Sequence, residues 1–330
     1  MAAAGILAGA AAVSVAFAVG TRKLYKAIIA DKDVTLPSLG MLNHSLRESA
    51  YPDDFYPGGA YANLTFGETR YYLFGPTDGK KVVFVHGLSS PSPVYDSVAR
   101  YMADHGCHLY SRGYSVGPPA DHNPSLYVTQ LTELLEHVGW RKCNLVGYSL
   151  GGAIVSCYSH QFPELVESLT FISPGGLLSP SDLPWVAKIF LLPYSAEILS
   201  KDPIKNYFSK KNIESMLSEF KGEVPHCIKQ ATEIMRLQFA SHQGYPRGLM
   251  STLKVFPLAG LDREFSTCQI HSYPVQAIWG TKDTVIPGTS ITKLQKLVPR
   301  IKVTNVEGAT HSIVMTHPTE IIDKLKDFVR

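Results

Sequence analysis

The segment Val146-Gly147-Tyr148-Ser149-Leu150-Gly151-Gly152-Ala153 constrains this chain more than any other. It sets a G-x-S-x-G pentapeptide between a short apolar run, Cys143 to Val146, and a stretch from Leu150 to Gln161 suited to a helix. The run reads as a buried parallel strand. A serine on so sharp a strand-to-helix turn is held in a strained backbone conformation with its hydroxyl exposed. Gly147 and Gly151 leave room for the chain to double back. The positive end of the following helix, and the N–H of Leu150, then point at any oxyanion forming there. The bland alternative is a glycine-rich turn with an incidental serine.

A serine hydroxyl is a poor nucleophile near neutral pH, so it needs a base, and the base needs an orienter. Pro274 to Asp283 is an apolar strand run that breaks at Gly280, with an acid just beyond. Ile301 to Val306 alternates like a strand and runs into Glu307-Gly308-Ala309-Thr310-His311. Upstream, Lys81 to Val85 reads as another buried strand ending in His86-Gly87-Leu88, where the N–H of Leu88 is the natural second oxyanion donor. The chain has twelve histidines, and His311 stands out because a predicted strand ends just before it. His317 reads as the entry to the last helix, with Pro318 at its first position. His86 is expected to brace the oxyanion loop. Asp262 has no strand before it and reads as a solvated loop residue, while Glu307 lies on the strand side of its turn.

The segments H-G-L, G-Y-S-L-G-G, W-G-T-K-D and G-A-T-H-S together resemble the α/β-hydrolase superfamily. The likeness is to its single-domain serine-hydrolase branch, of the monoacylglycerol lipase and esterase kind, over residues 60–330. By that resemblance Ser149 is the nucleophile, His311 the general base and then acid, and Asp283 the orienter of the imidazole. Leu88 and Leu150 would give backbone N–H groups to the tetrahedral intermediate. The implied fold is a mostly parallel central sheet flanked by helices, with a helical cap at residues 177–270, and no cofactor or metal. Epoxide hydrolase and dehalogenase relatives carry an aspartate at the elbow and are disfavoured. A carbon–carbon bond hydrolase or a peptidase shares the triad.

One departure stands out. Only Cys107 to Ser111 separates Gly106 from Arg112-Gly113-Tyr114-Ser115, and five residues span at most ~18 Å. A shortened strand near 107–111 is expected, and it motivates a second reading: a non-catalytic relative that keeps the fold for binding.

Net charge is +3, too slight to point to nucleic acid, and no phosphate-cradling loop appears. The five cysteines are scattered, with no C-x-x-C pair or His–Cys cluster, so neither a metal nor a disulfide framework is indicated. Residues 1–21 hold no charged side chain until Arg22 and Lys23 follow. They read as an N-terminal membrane anchor, with a signal peptide as the rival. The positive flank puts the catalytic domain on the cytosolic side, the secretory pathway being the alternative. Residues 22–59 read as a tether. The domain then opens with a hairpin, Tyr61 to Phe66 and Arg70 to Phe74, joined through Gly67.

Within the cap, Ser209 reads as the N-cap of a helix carrying Ile213, Met216, Leu217 and Phe220 at helical spacing. A second helix carries Cys227, Ile228, Ala231, Ile234 and Met235. Such stripes serve mainly to fix a cap to a sheet domain. Some of Phe190, Tyr194, Phe208, Met235, Phe239 and Tyr245 are expected to line an acyl pocket. The expected substrate is therefore a small hydrophobic or lipid-like ester.

Overall fold

The computed structural model describes residues 55–115, 121–179, 181–182, 202–220, 222–241 and 245–330. The expected anchor at 1–21 lies outside the described residues, as does nearly all of the tether.

An eight-stranded sheet organises the chain, in the order β1-β2-β4-β3-β5-β6-β7-β8. Its strands are β1 Gly59–Leu64, β2 Gly67–Phe74, β3 Lys80–Val85, β4 Cys107–Ser115, β5 Cys143–Tyr148, β6 Val166–Ile172, β7 Val275–Gly280 and β8 Lys302–Val306. From β4 across to β8 every pairing is parallel, and only the β1–β2–β4 edge is antiparallel. The hairpin closes tighter than the sequence suggests, with Leu64 opposite Gly67.

Strand β4 corrects the expected shortening. It runs nine residues, through the Arg112-Gly113 stretch that reads as a turn. Its first half pairs in parallel with β3, Cys107 to Ser111 against Lys80 to Phe84. Its second half continues beside β2 as far as Ser115, after a register shift at Thr69/Tyr71. The two pairings overlap over Leu109 to Ser111 and extend past each other at opposite ends, so the strand is longer than one partner would support.

The helices are α1 Asp96–Asp104, α2 Pro124–His137, α3 Leu150–Gln161, α4 Asp202–Leu217, α5 His226–Ser241, α6 Tyr245–Val255, α7 Asp262–Thr267, α8 Gly288–Leu297, α9 Ile313–Thr316 and α10 Pro318–Leu325. Strand period divides the core in two. Val83, Val85, Leu145, Leu169, Phe171 and Ala277 face a layer with Leu134 of α2, Ala153 of α3, Phe265 of α7 and Leu294 of α8. Val82, Phe84, Val146, Ile172 and Ile278 face the other layer, with Met102 of α1 and Ile321 and Leu325 of α10. Central strand β5 is buried at all six positions, as a parallel strand covered on both faces must be.

Buried polar groups at the start of these strands are paired. Asn144 Nδ2 donates to the carbonyls of Lys81 (3.1 Å) and Arg330 (2.8 Å). Its Oδ1 accepts from Ser168 Oγ (2.6 Å) and the Arg330 N–H (2.9 Å).

The cap hairpin of α4 and α5 joins the second core layer through Met216, Ile228, Ile234 and Met235. Ser209 is not an N-cap: α4 starts at Asp202, and Ser209 sits buried within it. Asp202-Pro203 is the effective start signal, since proline is tolerated in a first helical turn. Helix α6 is tied to α2 through Thr252 Oγ1 and Tyr127 Oη, 2.6 Å apart.

Candidate active site

Ser149 stands between β5 and α3 with φ +54° and ψ −118°, a conformation that costs a residue with a side chain of order 1–3 kcal/mol. Three backbone hydrogen bonds hold it there. Its N–H donates to the Ile172 carbonyl (2.9 Å), and its carbonyl accepts from Gly152 (2.9 Å) and Gly175 (2.8 Å). Close packing explains both glycines of the elbow. A Cβ on Gly151 would fall 1.9 Å from the Val85 carbonyl oxygen, and one on Gly147 would fall 2.5 Å from the Gly151 oxygen. Gly87 packs on the serine from the other side, where a Cβ would sit 3.0 Å from Ser149 Cβ. Leu88, the next residue, is thereby brought beside the elbow. Leu150 opens α3, so its N–H is among the donors that lack an intrahelical acceptor.

The structure brings the three sequence-predicted side chains together. His311 Nε2 lies 3.0 Å from Ser149 Oγ, and His311 Nδ1 lies 2.8 Å from Asp283 Oδ2. Asp283 follows β7, and its carboxylate is fully buried while the imidazole is one-fifth exposed. The other oxygen, Oδ1, accepts from the N–H groups of Val285 (2.9 Å) and Ile286 (2.8 Å). Both carboxylate oxygens are thus engaged, which fixes the plane of the group and keeps it an acceptor toward Nδ1. The loops after β7 and β8 are locked to each other. Lys282 N–H donates to the Ala309 carbonyl (2.9 Å) and Gly308 N–H to Thr281 Oγ1 (2.9 Å). A Cβ on Gly280 would meet the Ala309 oxygen at 2.4 Å, so glycine there is a packing requirement.

Rival residues sit elsewhere. His317 precedes α10, with Nδ1 2.9 Å from Thr316 Oγ1. His86 Nδ1 lies 2.9 Å from the Gly87 carbonyl oxygen, within the loop after β3. Asp262 is not in a loop; it is the first residue of α7 and pairs with Lys293 at 2.8 Å. Glu307 is exposed. Of the expected pocket residues, Phe190 and Tyr194 lie outside the described residues, as does the side chain of Phe208. Met235 is buried in the core layer, and Phe239 meets Tyr245 edge-on at 4.8 Å.

Two positioning features escaped the sequence reading. Tyr148, the variable residue before the serine, donates its hydroxyl to the His311 carbonyl at 2.8 Å, with the two rings 5.3 Å apart. Burial first, then the charges of Asp283 and Glu219, push its phenol well above the ordinary tyrosine range, so it stays a donor. The Asp283-Thr284-Val285-Ile286 turn was the readable signal for the second, since aspartate accepts from N–H groups two and three residues on.

A serine on a strained strand-to-helix elbow, hydrogen-bonded to a histidine that is hydrogen-bonded to an acid, defines the serine-hydrolase class of site. The chain belongs to the α/β hydrolase fold family, whose profile matches residues 80–318. Within it the protein is lipase- and esterase-like. It is 25% identical over 276 residues to monoacylglycerol lipase ABHD6 of Mus musculus, covering 78% of each chain. It is 22% identical over 280 residues to the uncharacterized carboxylesterase nap of Bacillus subtilis, covering 81% of this chain and 85% of that one. Its fold matches that of carboxylesterase CesB from Bacillus subtilis with a TM-score of 0.62, at 18% identity, over 86% of this chain and 94% of the other.

Proposed function

We propose that this protein is a serine hydrolase of carboxylic esters, apolar or lipid-like, acting through a covalent acyl-enzyme. The observation that carries the reading is the continuous run from Ser149 Oγ to His311 Nε2 (3.0 Å) and from His311 Nδ1 to Asp283 Oδ2 (2.8 Å). In this reading Ser149 Oγ attacks the ester carbonyl as His311 Nε2 takes its proton. The carbonyl oxygen becomes an oxyanion that accepts from the N–H groups of Leu88 and Leu150. Collapse breaks the bond to the alkoxy group, which leaves as the alcohol with the proton from His311. Water then attacks the acyl-enzyme, gives a proton to His311, and the acid departs as Ser149 recovers its hydrogen. Asp283 keeps the Nδ1–H tautomer and stabilises the imidazolium in both halves.

Support for an apolar acyl group comes from relatives named monoacylglycerol lipase and carboxylesterase. The non-catalytic reading loses its motive, because β4 is not clipped. A panel of p-nitrophenyl esters, aminoacyl arylamides and β-diketones tests the proposal. Expected is turnover of medium-chain esters that Ser149→Ala abolishes. Turnover confined to the amides or diketones, or ester turnover that survives Ser149→Ala, contradicts it.

We further assign residues 1–21 as a membrane anchor that holds the domain on the cytosolic side, on the strength of that uncharged run and its basic flank. Among the described residues no helix is long and apolar enough to cross a membrane. The full chain should stay with membranes after alkaline carbonate washing. Release into the supernatant, or a shortened N-terminus, contradicts the assignment.

A further inference from the structure

The cap reaches the histidine loop by a polar contact as well as an apolar one. Helix α4 ends at Leu217, and the turn that follows carries Glu219, whose Oε2 accepts from Thr310 Oγ1 at 2.5 Å. Thr310 immediately precedes His311. The flanking cap residues Leu217 and Phe220 pack on the second core layer, which includes Ile313, Val314 and Met315 of α9, so this turn is held down on both sides of the acid. The same two carboxylates that flank the histidine segment, Asp283 and Glu219, also raise the phenol of Tyr148. Glu219 therefore lies close enough for its charge to be felt at the end of β5 as well as at Thr310. A surface carboxylate needs no hydroxyl partner; this one is turned inward, toward the segment that carries the proposed base.

We propose that Glu219 is a positioning residue carried by the cap, which clamps Thr310 and so steadies the segment that carries His311, making the base fully effective only when the cap is seated. The inference rests on the reading of His311 as general base. In the first half-reaction the Ser149 proton moves to Nε2 and leaves a cation on a ring whose other nitrogen already faces Asp283. Among the described residues, the titratable groups around that ring and its loop are Asp283 after β7, Tyr148 at the end of β5, Glu219 from the cap, and the exposed Lys282 and Glu307 of the two joined loops. His86, on the loop after β3, is turned to its own Gly87 carbonyl. Tyr148 stays neutral and donates to the His311 carbonyl, while Glu219 holds the hydroxyl of the residue just before it. If the cap lifts, as lids over such sites do to admit substrate, the Glu219 contribution leaves with it.

The test is the pH dependence of the rate at which a fluorophosphonate labels the full chain, compared across the wild type, Glu219→Gln, Glu219→Ala and Thr310→Val. Glutamine keeps an acceptor for Thr310 but removes the charge. Glu219→Gln should therefore keep about the wild-type plateau rate, while Glu219→Ala, which leaves the Thr310 hydroxyl without its acceptor, should slow labelling several-fold. Thr310→Val should slow labelling several-fold at the plateau, through lost positioning. Thermal melts check that each variant is folded; a residue that only tied the cap down would lower the melting temperature and leave the plateau rate unchanged. A Glu219→Ala plateau rate equal to the wild type's overturns the proposal. A wild type that is not labelled at any pH overturns the general-base reading itself, and the wild-type arm alone reveals that case.

Discussion

Ser149 at φ +54° is tolerated because its neighbours leave the chain nowhere else to go. Gly151→Ala would drive a methyl group into the Val85 carbonyl, and Gly147→Ala would drive one into the Gly151 oxygen and the Val155 side chain. Backbone atoms cannot rotate away, so either change should cost about 3 kcal/mol or more, above the usual range for overpacking. Thermal denaturation should show a melting point lower by several degrees, or no soluble protein. At Tyr148 the removal of one hydroxyl isolates a single contact. Tyr148→Phe leaves the His311 carbonyl without that donor and should cost about 1 kcal/mol in a urea melt. In the proposed mechanism Asp283→Asn presents the wrong hydrogen-bonding group to Nδ1, and turnover should fall about 10⁴-fold with the fold intact. An Asn variant that retains a tenth of wild-type activity would show that the acid is not the orienter.

Among the elements, β5, β7 and β8 were legible because each is a short apolar or alternating run that ends one to five residues before the residue which matters. The pattern that marks a strand end also marks where a side chain can project beyond the sheet. Strand β4 was not legible. Its length comes from pairing with two neighbours distant in sequence, and Arg112-Gly113 looks like a turn to any local reading. The start of α4 was misread for a different reason, since Ser209 offers a capping side chain while the helix had already begun at Asp202. Tyr148 and Glu219 could not be found locally at all: a variable elbow residue and a surface-type acid gain their roles only from what the fold sets against them. The strand starts offer a test at this scale. Asn144 satisfies four groups on β3, β6 and the Arg330 backbone. Asn144→Leu keeps the volume but strands those partners, and should cost about 1–3 kcal/mol in a urea melt. A loss below a few tenths would mean the network is replaced by water.

For the whole molecule, two apolar layers on one sheet are what make Ser149 a neighbour of His311, 162 positions further along the chain. The same burial governs the cysteines. Cys107, Cys143, Cys157 and Cys268 are buried and Cys227 is partly exposed. Burial above all, with smaller contributions from Glu167 and Glu264, pushes the Cys143 and Cys157 thiols up to about 12. At pH 8 a thiol reagent should therefore titrate one fast thiol in the native chain and five in denaturant. The sign of the linkage follows. The folded state favours the neutral thiols, so their share of stability is complete below the ordinary thiol pKa and declines as pH rises above it. Stability should fall from about pH 9 upward, and less steeply in a Cys143→Ala variant.

The most direct measurement is a mass spectrum of the full chain after exposure to a fluorophosphonate, with the adduct mapped by peptide. A single adduct on Ser149 is predicted, absent in Ser149→Ala and strongly slowed in His311→Ala. Folded wild-type protein that carries no adduct on Ser149, under conditions that fully label a control serine hydrolase, would contradict the account.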